Sequence, residues 1–140
     1  MSQVTTFAID DWLTAQWSWT AGTIKVAAIT TSYVFSTAHD NWDDVPGGDV
    51  IGEITIPGRT VSGGVCAGDG LPLTIPSAAG LSLGGLWIYR DTGTDSTSRL
   101  IAWIDDNADG TPISGTTTVD GIVVPWNTIT GIIQVAALPT

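Results

Sequence analysis

Leu86 to Asp106 reads LWIYRDTGTDSTSRLIAWIDD, and the fold follows from how this stretch is read. Two runs rich in aromatic and β-branched residues, Leu86 to Tyr89 and Leu100 to Ile104, flank a loop of Asp, Thr, Gly and Ser, the pattern of a β-hairpin. Alternation puts Leu86 and Ile88 on one face with Trp87 and Tyr89 on the other. On the second strand it sets Leu100, Ala102 and Ile104 against Ile101 and Trp103. Both faces are then apolar, so the hairpin is either central in a layered fold or covered by a partner, with Trp87, Tyr89 and Trp103 as its core positions. Arg90 and Arg99 fall at the base of the loop, within reach of Asp91 or Asp95.

Working outward, the chain around this hairpin reads as short strands. Thr23 to Thr31, TIKVAAITT, is one; Val50 to Ile56, Arg59 to Val65 and Leu71 to Ile75 follow, punctuated by Pro57-Gly58, Gly63-Gly64 and Gly68-Asp69-Gly70. Val119 to Trp126 and Gly131 to Ala136 supply two more after the hairpin. Only Thr6 to Trp17 has helical spacing, with Thr6 as cap, Asp10 and Asp11 near the first turn, and a core stripe of Ile9, Trp12, Leu13 and Trp17. A short helical turn is expected over Ala38 to Asp44, capped by Ser36 or Thr37 and ended by Pro46 and Gly47. The expected fold is mainly β, an antiparallel sandwich or flattened barrel with one short N-terminal helix, and 140 residues suit a single domain.

Composition narrows the function. The net charge is −10 with only four basic residues, Lys25, Arg59, Arg90 and Arg99, which argues against nucleic acid, whose affinity comes chiefly from Lys and Arg displacing counterions. The single Cys66 excludes an internal disulfide, and no long apolar run addresses the chain to a bilayer. Hydrophobic residues make up 43% and charged residues 13%, with seven Trp, so a monomer has little polar surface with which to cover its apolar excess. Contact with copies of itself or with another protein is expected, with Trp17, Trp19 and Trp42 as candidate anchors. For Trp42 the plainer reading is a lid folded back on the sheet.

Four patterns touch on chemistry. Gly80-Leu81-Ser82-Leu83-Gly84 fits G-x-S-x-G, but a nucleophile elbow needs a strand-to-helix turn and a His after the Ser, and His39, the only His, precedes it. Cys66 between Val65 and Ala67 reads as a small buried hydrophobe rather than a nucleophile. His39, Asp40, Asp43 and Asp44 are metal-ligating types without a second His or Cys to complete a set, and an acidic turn is ordinarily a solvated face. Asp105, Asn107 and Asp109, with Gly110, match the first half of a calcium loop, whereas position 12 is Thr116 instead of the bidentate Glu. The same residues are turn formers, so a turn between strands accounts for them without calcium. No enzyme activity and no cofactor are expected.

The succession TIKVAAITTSYVFSTAHDNWDDV, then GRTVSGG, then LWIYRDTGTDSTSRLIAWID resembles a family of small structural proteins encoded by tailed bacteriophages. In that family a short N-terminal helix precedes a TIKVALLTSSY-like segment with HD and DDV, and a YKDTG…TSPLIAYID-like hairpin follows. The resemblance spans about the first three quarters of the chain. Arg99 stands where relatives tend to have Pro, and Ile122 to Thr140 is longer and more apolar than in relatives. What the resemblance implies is a virion component assembled in the host cytoplasm. A capsid decoration (cement) protein on the outer surface fits the acidic balance, with the major capsid protein and itself, as a homotrimer, for partners. A tail or fibre-attachment component is the alternative within that class, and a small carbohydrate-binding β-sandwich the alternative outside it, because exposed Trp rings serve sugars as well as proteins.

Overall fold

A computed structural model describes residues 3–62, 65–68, 73–76, 80–106, 110–117, 121–124 and 133–134. Mainly β, it is built on a five-stranded antiparallel sheet. The strands are β1 (Gln3–Val4), β2 (Thr23–Thr30), β3 (Val50–Thr55), β7 (Leu83–Asp91) and β8 (Leu100–Ile104), in the spatial order β1-β8-β7-β2-β3. A three-stranded sheet, β10-β5-β4, is made of β4 (Thr60–Ser62), β5 (Val65–Ala67) and β10 (Ile133–Gln134), and a two-stranded ribbon joins β6 (Leu73–Ile75) to β9 (Ile122–Val124). The one α-helix among the described residues, α1, covers Thr6–Leu13. The described strands form layers and do not close into a barrel. Among the described residues no helix is long and apolar enough to cross a membrane.

The hairpin is central. β7 pairs with β8 on one side and with β2 on the other, and Trp87 lies opposite Trp103. Residues of β2 and β7 alternate as a two-sided strand requires: Ile24, Val26, Ala28, Leu86 and Ile88 enter one core, and Ala27, Ile29, Trp87 and Tyr89 the other. β8 departs from the expected alternation. Its register shifts opposite Ile88 and Tyr89, so that Leu100 joins Trp103 on one face while Ile101 joins Ala102 on the other. A bulge of this kind inserts one residue and breaks the period of two, which a count along the sequence does not detect.

The core on the Trp87 face is roofed by the long loop after β2. Trp42 stacks on Tyr89 with ring centroids 4.1 Å apart and planes 4° from parallel, and Phe35 and Tyr33 lean on Trp103. The turn in this loop is a 3-10 turn over Trp42–Asp44, later than expected. Ser36 caps a separate turn at Thr37 and Ala38, its hydroxyl accepting from the Ala38 amide at 3.1 Å, and Asp44 closes the later one by accepting from the amides of Asp40 and Asn41 at 2.9 and 3.1 Å. Those bonds favour the ionised carboxylate and hold the Asp44 pKa below its ordinary value. The opposite core is covered by α1, Trp19 and the small sheets, which contribute Ala8, Cys66 and Ile75, and by Ile56 just after β3. Gly52 lets β6 close on β3, because a Cβ there would stand 1.9 Å from the Pro76 carbonyl oxygen.

α1 is shorter than its spacing suggests, and its cap is Thr5. The Thr5 hydroxyl accepts from the Ala8 amide at 3.1 Å and donates to the Leu100 carbonyl at 2.7 Å, tying the helix start to β8. The helix ends in a Schellman turn. The Gln16 amide bonds the Asp11 carbonyl, the Ala15 amide bonds that of Trp12, and Ala15 takes the left-handed conformation at φ 60°. Asp10 and Asp11 therefore lie beyond the first turn. The expected stripe is also rotated: Ala8 is the buried residue, while Ile9, Trp12 and Leu13 are 40%, 41% and 79% exposed.

Candidate binding surface

The exposed stripe of α1 borders an apolar groove of about 470 Å³. One wall is Ile9 and Trp12; the floor is Trp17, Trp19 and Cys66; the far wall is Val61 on β4. Trp12 and Trp17 face each other at 6.2 Å between ring centroids. Both floor indoles turn their N–H groups inward, Trp17 to the Ala8 carbonyl and Trp19 to the Ala67 carbonyl, each at 2.8 Å. They present carbon to the groove. The Ser18 and Thr20 hydroxyls, also in the lining, lie 3.2 Å from each other, and among the described residues no charged side chain lines the groove. Burial raises the pKa of the Cys66 thiol, which suits a packing role better than nucleophilic attack.

Of the three candidate anchors, Trp17 is half-buried in this groove. Trp19 is 2% exposed and buried within the chain, and Trp42 is half-buried over Tyr89. Trp19 meets the groove only as a nearly buried part of its lining. Trp87, Tyr89 and Trp103 are buried. Sequence reasoning missed the groove because Val61 and Cys66 come from a layer far along the chain, and because Ile9, Trp12 and Leu13 carry the same helical signal whether they face a core or solvent.

The four cations are tied to carboxylates or to backbone carbonyls. Lys25, on the central strand β2, bridges Glu53 of β3 at 2.9 Å and Asp91 of β7 at 2.8 Å, and the buried Tyr89 hydroxyl donates to Glu53 at 2.6 Å. Asp91 first, then Glu53, raise the Lys25 pKa; Lys25 and the Gly93 amide lower that of Asp91; burial and the bond to Glu53 raise that of Tyr89. Arg99 pairs with Asp11 at 2.6 Å and Asp40 at 3.0 Å, clamping α1 and the roof loop to β8, and Arg90 donates to the Gln16 carbonyl at 2.7 Å. Neither Arg takes the expected partners at the loop base. Arg59 donates to the carbonyls of Trp19, Ile56 and Gly22.

No three His, Cys, Asp or Glu side chains come together as a metal-holding group among the described residues. His39 Nδ1 lies 2.6 Å from the Tyr33 hydroxyl, Asp40 is bound to Arg99, and Asp44 is bound to amides. Asp105 accepts from the Trp103 indole at 3.0 Å, and its carbonyl takes the Ile113 amide at 2.8 Å. Asn107 and Asp109 lie outside the described residues. In Gly80 to Gly84, Ser82 bridges to Thr116 and β7 begins at Leu83, so the Ser stands at the entry to a strand and not on a strand-to-helix turn. Comparison with protein-family models, curated proteins and solved structures finds no match.

Proposed function

We propose that this chain is a non-enzymatic virion structural protein of a tailed phage, a capsid decoration protein that binds as a trimer on the outside of the shell and stabilises it between capsomers. The observation that carries the proposal is the charge-free apolar groove beside the exposed face of α1, together with the phage-like wording of Thr23 to Val45 and Leu86 to Asp105. An exposed apolar patch on a protein with so few charges is suited to burial against another protein. A cement protein turns over no substrate. It contributes by burying such surface where capsomers meet, so that opening the shell must first break those contacts. Three-fold and quasi-three-fold positions would seat a closed trimer, and the acidic balance suits a surface away from packaged DNA. A sugar site sets hydrogen-bonding polar groups beside an exposed ring, whereas this lining offers only two small hydroxyls, which favours a protein partner.

The test compares virions made with and without the gene. Shells lacking the protein should form but release DNA sooner on heating, and the purified protein should rebind them to saturation at a fixed stoichiometry. Normal heads with missing or defective tails would replace this assignment with a tail component.

A further inference from the structure

β4 is the terminal strand of its sheet and pairs only with β5 among the described residues, and Thr60, Val61 and Ser62 are all exposed. An unpaired edge presents a row of amides and carbonyls to an added strand. That edge adjoins the groove: Val61 and its cross-strand partner Cys66 both line it, so the strand that offers backbone pairing also borders an apolar slot. Because the Trp17 and Trp19 N–H groups are turned inward, polar recognition at this place falls to the β4 main chain.

We propose that the edge of β4 and the groove together receive an extended segment of another protein, flanked by Lys or Arg, which adds to β4 as a strand and sets one large apolar side chain against Trp12 and Trp17. A volume of about 470 Å³ is within the range of sites that enclose a ligand of that size. Charge decides the flanks and the source. All four cations of the chain are engaged, Lys25 and Arg99 by carboxylates and Arg59 and Arg90 by carbonyls, while fourteen acids leave the net charge at −10. A basic segment is attracted to such a surface, whereas a second copy of this chain brings no free cation to the groove. Area points the same way. The exposed parts of Ile9, Trp12, Leu13 and Val61 form a patch of a few hundred Å², about half of the ~800 Å² per partner that a stable dimer buries. That is too little for a self-contact and enough for one strand with an anchor, as in other strand-addition complexes.

The inference rests on the chain being a binder of protein surfaces, and its test is independent of any particle. A displayed random-peptide library is selected on the immobilised full-length chain, and recovered peptides are resynthesised and titrated. Expected are peptides of alternating apolar residues with Lys or Arg at the ends, weakened roughly tenfold by Trp12→Ala, as for loss of an interface anchor, and weakened further as salt rises. N-methylation at alternate peptide amides should abolish binding with no change to the protein, and Val61→Asp, at a half-exposed site, should do so with circular dichroism unchanged. No enrichment, acidic or neutral flanks, or affinity that survives N-methylation would overturn the proposal. So would a concentration-dependent dimer that Trp12→Ala abolishes, which would give the groove to a second copy. Peptide binding combined with normal heads in the gene deletion would remove the capsid assignment alone; a cement phenotype without peptide binding would remove this inference alone.

Discussion

Trp103 and Gly85 form a pair whose coupling follows directly from geometry. The Trp103 ring is 5% exposed and lies between Trp87 at 5.3 Å, Tyr33 at 5.3 Å and Phe35 at 5.9 Å, centroid to centroid. A Cβ on Gly85 would stand 2.5 Å from Cζ2 and Cη2 of this ring and 3.0 Å from the Ile104 carbonyl oxygen. Trp103→Ala removes a buried aromatic ring and should cost about 3 to 5 kcal/mol. Gly85→Ala forces a methyl into a filled space and should cost about 1 to 3 kcal/mol. With the ring gone, the two closest of these contacts vanish and the Ile104 carbonyl oxygen at 3.0 Å remains, so most of the cost disappears. The double variant should be more stable than the sum of the singles predicts by about 1 to 2 kcal/mol, the coupling expected of residues in direct contact. Urea unfolding of the four proteins, followed by circular dichroism, gives the cycle. Additivity within about 0.5 kcal/mol, the behaviour of independent sites, would refute the packing of Trp103 on Gly85, as would a Gly85→Ala variant as stable as the parent.

Three further outcomes are expected. Ala15→Gly should stabilise the chain by about 0.5 to 1 kcal/mol, because the left-handed conformation at φ 60° costs Ala more than Gly loses in entropy; an unchanged urea midpoint would contradict the Schellman end of α1. Stability should be greatest between acid and alkaline limbs. Asp91 and Asp44, held below their ordinary value of 3.8, stabilise the fold above that pH and lose the contribution as pH falls through their lowered values. Lys25 and Tyr89, raised above 10.5 and 10.0, contribute fully below those values and lose it as pH climbs through their raised ones. Lys25→Gln should flatten the acid limb by releasing Asp91, and an acid limb identical to the parent's would count against the Lys25 to Asp91 bond. Millimolar calcium should leave the melting temperature unchanged, and a rise abolished by Asp109→Ala would instead establish a calcium loop at Asp105 to Asp109.

Much of the fold is legible in the residues because local pattern and burial agree. Leu86 to Tyr89 alternates between two apolar faces and does so in the structure, and TIKVAAIT forms the strand beside it. The bulge at Leu100 and Ile101 was not legible, since both residues are apolar and either face accepts them. Nor was the end of α1: Gln16 and Trp17 continue the helical spacing, and it is the Thr14 to Gln16 turn, with the Thr14 hydroxyl bonded back to the Asp10 carbonyl, that stops it. Arg99 shows how charge pairing escapes a linear reading. Asp95 is nearer in sequence, yet the chain brings Asp11 and Asp40 to Arg99 from 88 and 59 residues away. The groove is of the same kind, assembled from a helix, a turn and four strands whose shared surface exists only in the fold.

The capsid assignment is tested most directly by imaging the phage particle that carries this protein. The account predicts density matching the five-stranded sheet and α1 in trimers on the outer surface of the shell, seated at the three-fold and quasi-three-fold positions, with the α1 groove turned toward the capsid protein. Density for the chain in the tail or on the inner face of the shell, or on the outer surface with the groove turned to solvent, would contradict it.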